Sequence, residues 1–151
     1  MTLKEYVVLE TEKSLKNIFE AARKVPAEKV DWKPLDNGRS TLDQIQEVAY
    51  CPLWVPGLLE KRAFDPAGFE AYEETRKGWT TLDECETAAN ANMETFKAAV
   101  AALPESDFDI KIDLPWGNYT LAEVMGFPMW NMHYHLGQVC YVQTLYGDFS
   151  M

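Results

Sequence analysis

Four stretches of this chain repeat their apolar residues with the period of an α-helix. Across 3–25, Val8, Leu15, Ile18, Ala22 and Val25 fall three, four or seven positions apart, with Lys13, Lys16, Glu20 and Lys24 on the opposite side. Across 82–103 the stripe reads Leu82, Cys85, Ala89, Met93, Phe96, Val100, Leu103, and Pro104 ends it. The stretches 42–62 and 121–146 are apolar on more than one side. They also carry prolines, Pro52 and Pro56 in the first and Pro128 in the second, which predict a break near Cys51 and a bend near Pro128.

A Thr-Leu-x-Glu/Gln tetrapeptide opens each stretch: Thr2-Leu3-Lys4-Glu5, Thr41-Leu42-Asp43-Gln44, Thr81-Leu82-Asp83-Glu84 and Thr120-Leu121-Ala122-Glu123. In such a capping box the hydroxyl accepts from the amide three residues on, and the Glu or Gln reaches back to the cap amide. The four copies stand about 40 residues apart and predict helix starts capped by the four threonines. Helical repeats of the HEAT type need two helices per unit, and here each unit holds one. The expectation is an all-α, single-domain four-helix bundle over 1–151, with helices at 3–25, 42–62, 82–103 and 121–146.

The connections differ. Residues 26–40 hold Pro26, Pro34 and Asn37-Gly38 and predict an extended loop. The long link over 63–80 has room for a short helix at 69–72. Over 107–114, Phe108, Ile110, Ile112 and Leu114 alternate with polar residues. With no partner strand in view, this reads as an extended crossover segment.

Charge narrows the function. Twenty-four acidic against fourteen basic residues give a net charge of −10, which repels phosphate backbones and argues against nucleic acid as a partner. No apolar run reaches the length of a membrane span, and no signal peptide is evident. Cys51, Cys85 and Cys140 are odd in number and far apart, reading as reduced thiols of a cytoplasmic protein.

Chemistry concentrates in the fourth helical stretch. Its inward stripe reads Val124, Phe127, Asn131, His135, Gln138, Val142, Leu145, apolar at both ends and polar in the middle. Burying Asn131, His135 and Gln138 is costly unless they are hydrogen-bonded or ligating, which leaves a core network and a binding site both open. His133 falls on another side of the helix and has no expected role. In the second stretch Glu47, Cys51, Trp54 and Leu58 share a stripe, and Cys51 lacks a basic neighbour to activate it. Trp54 and Trp130 adjoin these polar positions as candidate pocket walls.

Two segments carry a family resemblance. Pro26-Ala27-Glu28-Lys29-Val30-Asp31-Trp32-Lys33-Pro34 followed by Arg39-Ser40, and His135-Leu136-Gly137-Gln138 in the fourth helix, resemble the DinB/YfiT-like superfamily of four-helix bundles. The resemblance implies a divalent metal, zinc or nickel, held by three histidines. Those positions fall on Glu47, Asn131 and His135, and only His135 is the expected type. It also implies thiol-dependent transferase or isomerase chemistry on a small molecule.

Three readings follow. In the first, a degenerate metal-site pocket binds a small molecule, with a metal at Glu47 and His135 activating a thiol or water while Asn131 or Gln138 orients the substrate. In the second, the polar cluster only fixes helix packing or binds a ligand without metal. In the third, Glu47 and His135 act as a metal-free acid–base pair. The resemblance, together with two helices lacking a wet side, predicts a homodimer.

Overall fold

The computed structural model describes residues 1–150, with the side chains of Phe69 and Glu70 excepted. Its helices are α1 (Leu3–Lys24), α2 (Thr41–Tyr50), α3 (Trp54–Lys61), α4 (Pro66–Lys77), α5 (Leu82–Ala102), α6 (Leu121–Met125) and α7 (Phe127–Leu145), with a hairpin of β1 (Lys111–Leu114) and β2 (Gly117–Thr120). Four arms make the bundle: α1, the broken pair α2–α3, α5, and the broken pair α6–α7. α1 lies against α5 and α7, and α2 lies against the same two. Phe96, Ile18, Ile45, Leu121, Met125 and Met132 fill the centre, each almost wholly buried.

Three of the four capping boxes form as expected, at Thr2, Thr81 and Thr120. The fourth does not. Ser40, not Thr41, caps α2, its hydroxyl accepting from the Asp43 amide at 3.2 Å. The reason lies in Gln44, which turns inward to His135 instead of reaching back to a cap amide. Thr41 is then the first helical residue, buried, and its hydroxyl has no partner among the described residues.

The breaks follow proline and glycine. Cys51–Leu53 forms a 3₁₀ turn containing Pro52, and α3 restarts at Trp54. Pro56 sits in the first turn of α3, where an amide has no intrahelical acceptor to lose. In the fourth arm the break falls at Gly126, two residues before the expected bend at Pro128. The buried positions keep their three- and four-residue spacing across the break, from Leu121 and Met125 to Pro128 and Met132. Asn131, Met132, His135, Val139, Val142 and Gln143 are buried, while Leu145, expected inside, is half exposed.

Two connections are more ordered than expected. The short helix at 69–72 is the middle of the three-turn α4, which Asp65 caps and Pro66 opens. The second half of the crossover segment is a strand, in which Lys111 pairs with Thr120 and Leu114 with Gly117, antiparallel. Alternation is visible in β1, which buries Ile112 and Leu114, but not in the Gly-Asn-Tyr-Thr of β2. Gly117 is required at this turn because its φ is 153° and a Cβ would stand 3.0 Å from the Tyr119 ring.

Candidate functional site

The i, i+4, i+8 spacing of Arg39, Asp43 and Glu47 lays a charged row along one side of α2. Asn131 and His135, one turn apart on α7, face its far end. The Arg39 guanidinium donates to the Asp43 carboxylate, to the Asp43 carbonyl at 3.1 Å and to Glu47 Oε2 at 2.7 Å. Glu47 Oε1 accepts from Asn131 Nδ2 at 2.8 Å and lies 3.1 Å from His135 Nε2. On the other side of the ring, Nδ1 is 2.8 Å from Gln138 Oε1 and 3.2 Å from Gln44 Oε1. With the amides so placed, both ring nitrogens face side-chain oxygens.

The structure therefore brings Glu47, Asn131, His135 and Gln138 into one hydrogen-bonded cluster. Asn131 and His135 are buried and the Glu47 side chain is 16% exposed. Burial pushes the Glu47 carboxyl up, but the hydrogen bond and charge of His135, the charge of Arg39 and the Asn131 amide outweigh it and hold the pKa at about 2. Asp43 is also held well below its ordinary range. Burial opposes this, but hydrogen bonds from Lys77, Arg39 and Arg76 prevail. Both acids are ionised at neutral pH.

The other expected residues divide. Trp54 and Glu47 both line a cavity of about 560 Å³. Tyr72 meets Trp54 edge-to-face at 6.2 Å, and Phe127, Phe64 and Trp116 from the hairpin tip complete the walls. Cys51 lies beneath, fully buried, its thiol directed at the carbonyls of Val48 and Pro128. Burial, with the charge of Glu47, pushes that thiol well up, so it is inert. Gln138 supports His135 from behind rather than lining the cavity.

Trp130 is outside the lining. One residue before Asn131, it is rotated about 100° to the outer face of α7, stacks on Tyr134 and is 64% exposed. His133 pairs with Ser14 of α1 at 2.8 Å, a helix-to-helix contact.

The histidine-based metal set does not fit these residues. Three imidazoles would offer three nitrogen lone pairs, whereas here one imidazole faces a carboxylate and an amide. Asn131 turns its Nδ2 toward Glu47, and its Oδ1 is buried with no partner among the described residues. The second oxygen of Glu47 is held by a cation already present, Arg39. No group of three His, Cys, Asp or Glu side chains suited to a metal occurs among the described residues. One imidazole, one carboxylate and one neutral amide are a poor donor set for zinc or nickel.

Sequence reasoning missed Arg39 and Asp43 as site residues, although their spacing to Glu47 was visible. It also missed Gln44, which looked like a capping residue. Arg76, Tyr72 and Trp116 reach the site from α4 and the hairpin tip, and no local signal could have placed them there.

No family model matches the chain, and no curated protein matches it. Solved structures do. A DinB-like protein, YjoA, from Bacillus subtilis is 14% identical, with a TM-score of 0.67 over 97% of this chain and 94% of its own. A mycothiol-dependent maleylpyruvate isomerase is 11% identical, with a TM-score of 0.68 over 92% of this chain. The chain spans 61% of that isomerase's length. The order and packing of the helical arms are shared across these proteins, and this chain has the DinB-like fold.

Proposed function

We propose that the protein binds a small organic molecule in the cavity in front of Glu47, with the α2–α7 cluster as its rigid polar floor. The observation that carries this is the place of Glu47, which lines the cavity and is held by Asn131 and His135, themselves outside the lining. The cavity lies within the roughly 300–1,000 Å³ typical of ligand sites and combines aromatic and aliphatic walls with charged side chains. Glu47, held at about 2, is too weak a base to abstract protons near neutral pH, which disfavours the acid–base pair. The donor set disfavours a zinc or nickel centre.

Gly57 provides the test. It lines the cavity from within α3, and a Cβ built on it meets nothing within 4 Å. Gly57→Leu fills the space while improving helix propensity by about 1 kcal/mol. In a fragment screen read by melting temperature, the parent should give hits that the variant loses while itself melting no lower. Hits shared equally by both proteins would place binding elsewhere and sink the reading.

The likeness to a mycothiol-dependent isomerase supports a second reading, in which the bound molecule reacts with a low-molecular-weight thiol in the same cavity. Loss of added thiol in the presence of protein and a bound fragment would favour it, and unchanged thiol would leave binding alone.

The chain also pairs with a second copy through α7. That helix has no Asp, Glu, Lys or Arg, and Trp130, Tyr134, Tyr141 and Leu145 lie exposed along one face. Gly137 opens a notch in the same face, where a Cβ would meet nothing, allowing close helix approach. Light scattering should give twice the 17.3 kDa chain mass, and Tyr141→Lys should return it to one. A parent of single mass at micromolar concentration would defeat the pairing. The three thiols, none in a disulfide, suit a reducing compartment such as the cytoplasm.

A further inference from the structure

We infer that the cavity takes an organic anion, a carboxylate carried on an aromatic or bulky apolar body, with Arg39 as the group that receives the charge. This rests on the reading of the cavity as a ligand site. The claim comes from counting hydrogen-bonding capacity around Glu47. Glu47 already accepts three hydrogen bonds, two on Oε1 and one on Oε2. Asp43 accepts from Arg39, Arg76 and Lys77 through its carboxylate. Beside Arg39, then, both acids are satisfied, while the other lining acids, Glu73 and Asp65, are paired with Arg76 and Lys61.

Arg39 is not. A guanidinium has five N–H donors, and three of these are engaged, leaving two without a partner among the described residues. Its side chain is 37% exposed and lines the cavity, whereas Arg76, the other guanidinium there, is 9% exposed and tied to Glu73 and Asp43. Lys61 at the rim is paired with Asp65 at 2.6 Å. Next to Glu47 the polar capacity left open is therefore donor, and it sits on a cation.

Local charge points the same way. The chain carries 24 acids and 14 bases, yet the cavity lining holds three of each: Glu47, Asp65, Glu73 against Arg39, Lys61, Arg76. An anion is repelled less here than over the surface as a whole. A cationic ligand would meet carboxylates that each already face a cation, Glu47 with Arg39, Glu73 with Arg76 and Asp65 with Lys61. The walls then set the rest of the ligand: Trp54, Tyr72, Phe127 and Trp116 offer ring faces and edges to a flat or bulky apolar body.

Three probes of one shape test this by titration calorimetry: 2-naphthoate, 2-naphthylmethanol and 2-naphthylmethylammonium. The acid should bind about tenfold or more tightly than the alcohol and the amine, the scale of a charge-assisted pair. Arg39→Gln should remove that preference, Arg39→Lys should keep part of it, and Gly57→Leu should abolish binding of all three. If Arg39→Gln fails to fold, the ranking in the parent decides. An alcohol or amine bound as tightly as the acid, and lost in Gly57→Leu, would overturn the anion inference and leave the cavity reading intact. Acid binding indifferent to Gly57→Leu would overturn the cavity reading itself. No binding of any probe overturns the inference as well.

Discussion

Glu47 holds the polar cluster together: three side chains donate to it, and its ionised form is what they stabilise. Its pKa is lowered from 4.5 to about 2 on folding, so between those values the unfolded chain binds the extra proton. The stability that this group contributes is therefore present above about pH 4.5 and is lost as pH falls toward 2. Asp43, lowered in the same direction, acts in the same sense. Glu47→Gln keeps the shape but weakens the bonds from Arg39 and His135, at a cost of about 1–3 kcal/mol at pH 7. Urea midpoints should show that gap between parent and variant at pH 7 and a much smaller one at pH 3. A gap of equal size at both would mean the carboxylate is not held by these partners. The polar row of α7 was legible in the sequence because Asn131 and His135 interrupt an otherwise apolar stripe. What they meet was not, because Gln44 carries the same letter whether it caps a helix or faces an imidazole.

At the scale of elements, three helix starts were legible to the residue, since a capping box is a local device that needs only its own four residues. The fourth shows where local reasoning stops. The Thr41-Leu42-Asp43-Gln44 box has the right letters, but the buried His135 competes for Gln44 and Ser40 takes over the cap. Ser40→Ala should lower stability by about 1 kcal/mol. Thr41→Val, which removes a buried hydroxyl with no partner among the described residues, should be neutral or stabilising. Thermal melts that reversed this order would return the cap to Thr41. The hairpin was missed for a related reason. Ladder partners are set by pairing, and the Gly-Asn-Tyr-Thr of β2, exposed in its first half and half-buried in its second, carries no alternation to advertise it. The break at Gly126 instead of Pro128 follows because a proline near a helix start removes no hydrogen bond, so it permits the helix that a mid-helix proline would interrupt.

At the scale of the whole molecule, the bundle was readable and the cavity was not. Amphipathic periodicity specifies which faces of α1 and α5 turn inward, and the Ser40–Asp43 cap and the 3₁₀ turn at Cys51–Leu53 fix the second arm. The cavity is instead lined by α3, α4 and the hairpin tip together with Glu47, and the hairpin tip is distant in sequence from the rest. The surroundings of Glu47 explain why these residues do not make the three-histidine metal site that the sequence resemblance implies. Arg39 from the end of the loop before α2 and Asn131 from α7 surround the carboxylate with donors, so that hydrogen bonds occupy the positions that ligand lone pairs would fill. The most direct test of that claim is elemental analysis of the protein purified without chelator, for zinc and nickel per chain. The cluster as described predicts well under about one-tenth of an ion per chain, unchanged in Glu47→Gln. About one zinc or nickel per chain, lost in Glu47→Gln and in His135→Ala, would show that Glu47 and His135 ligate a metal after all.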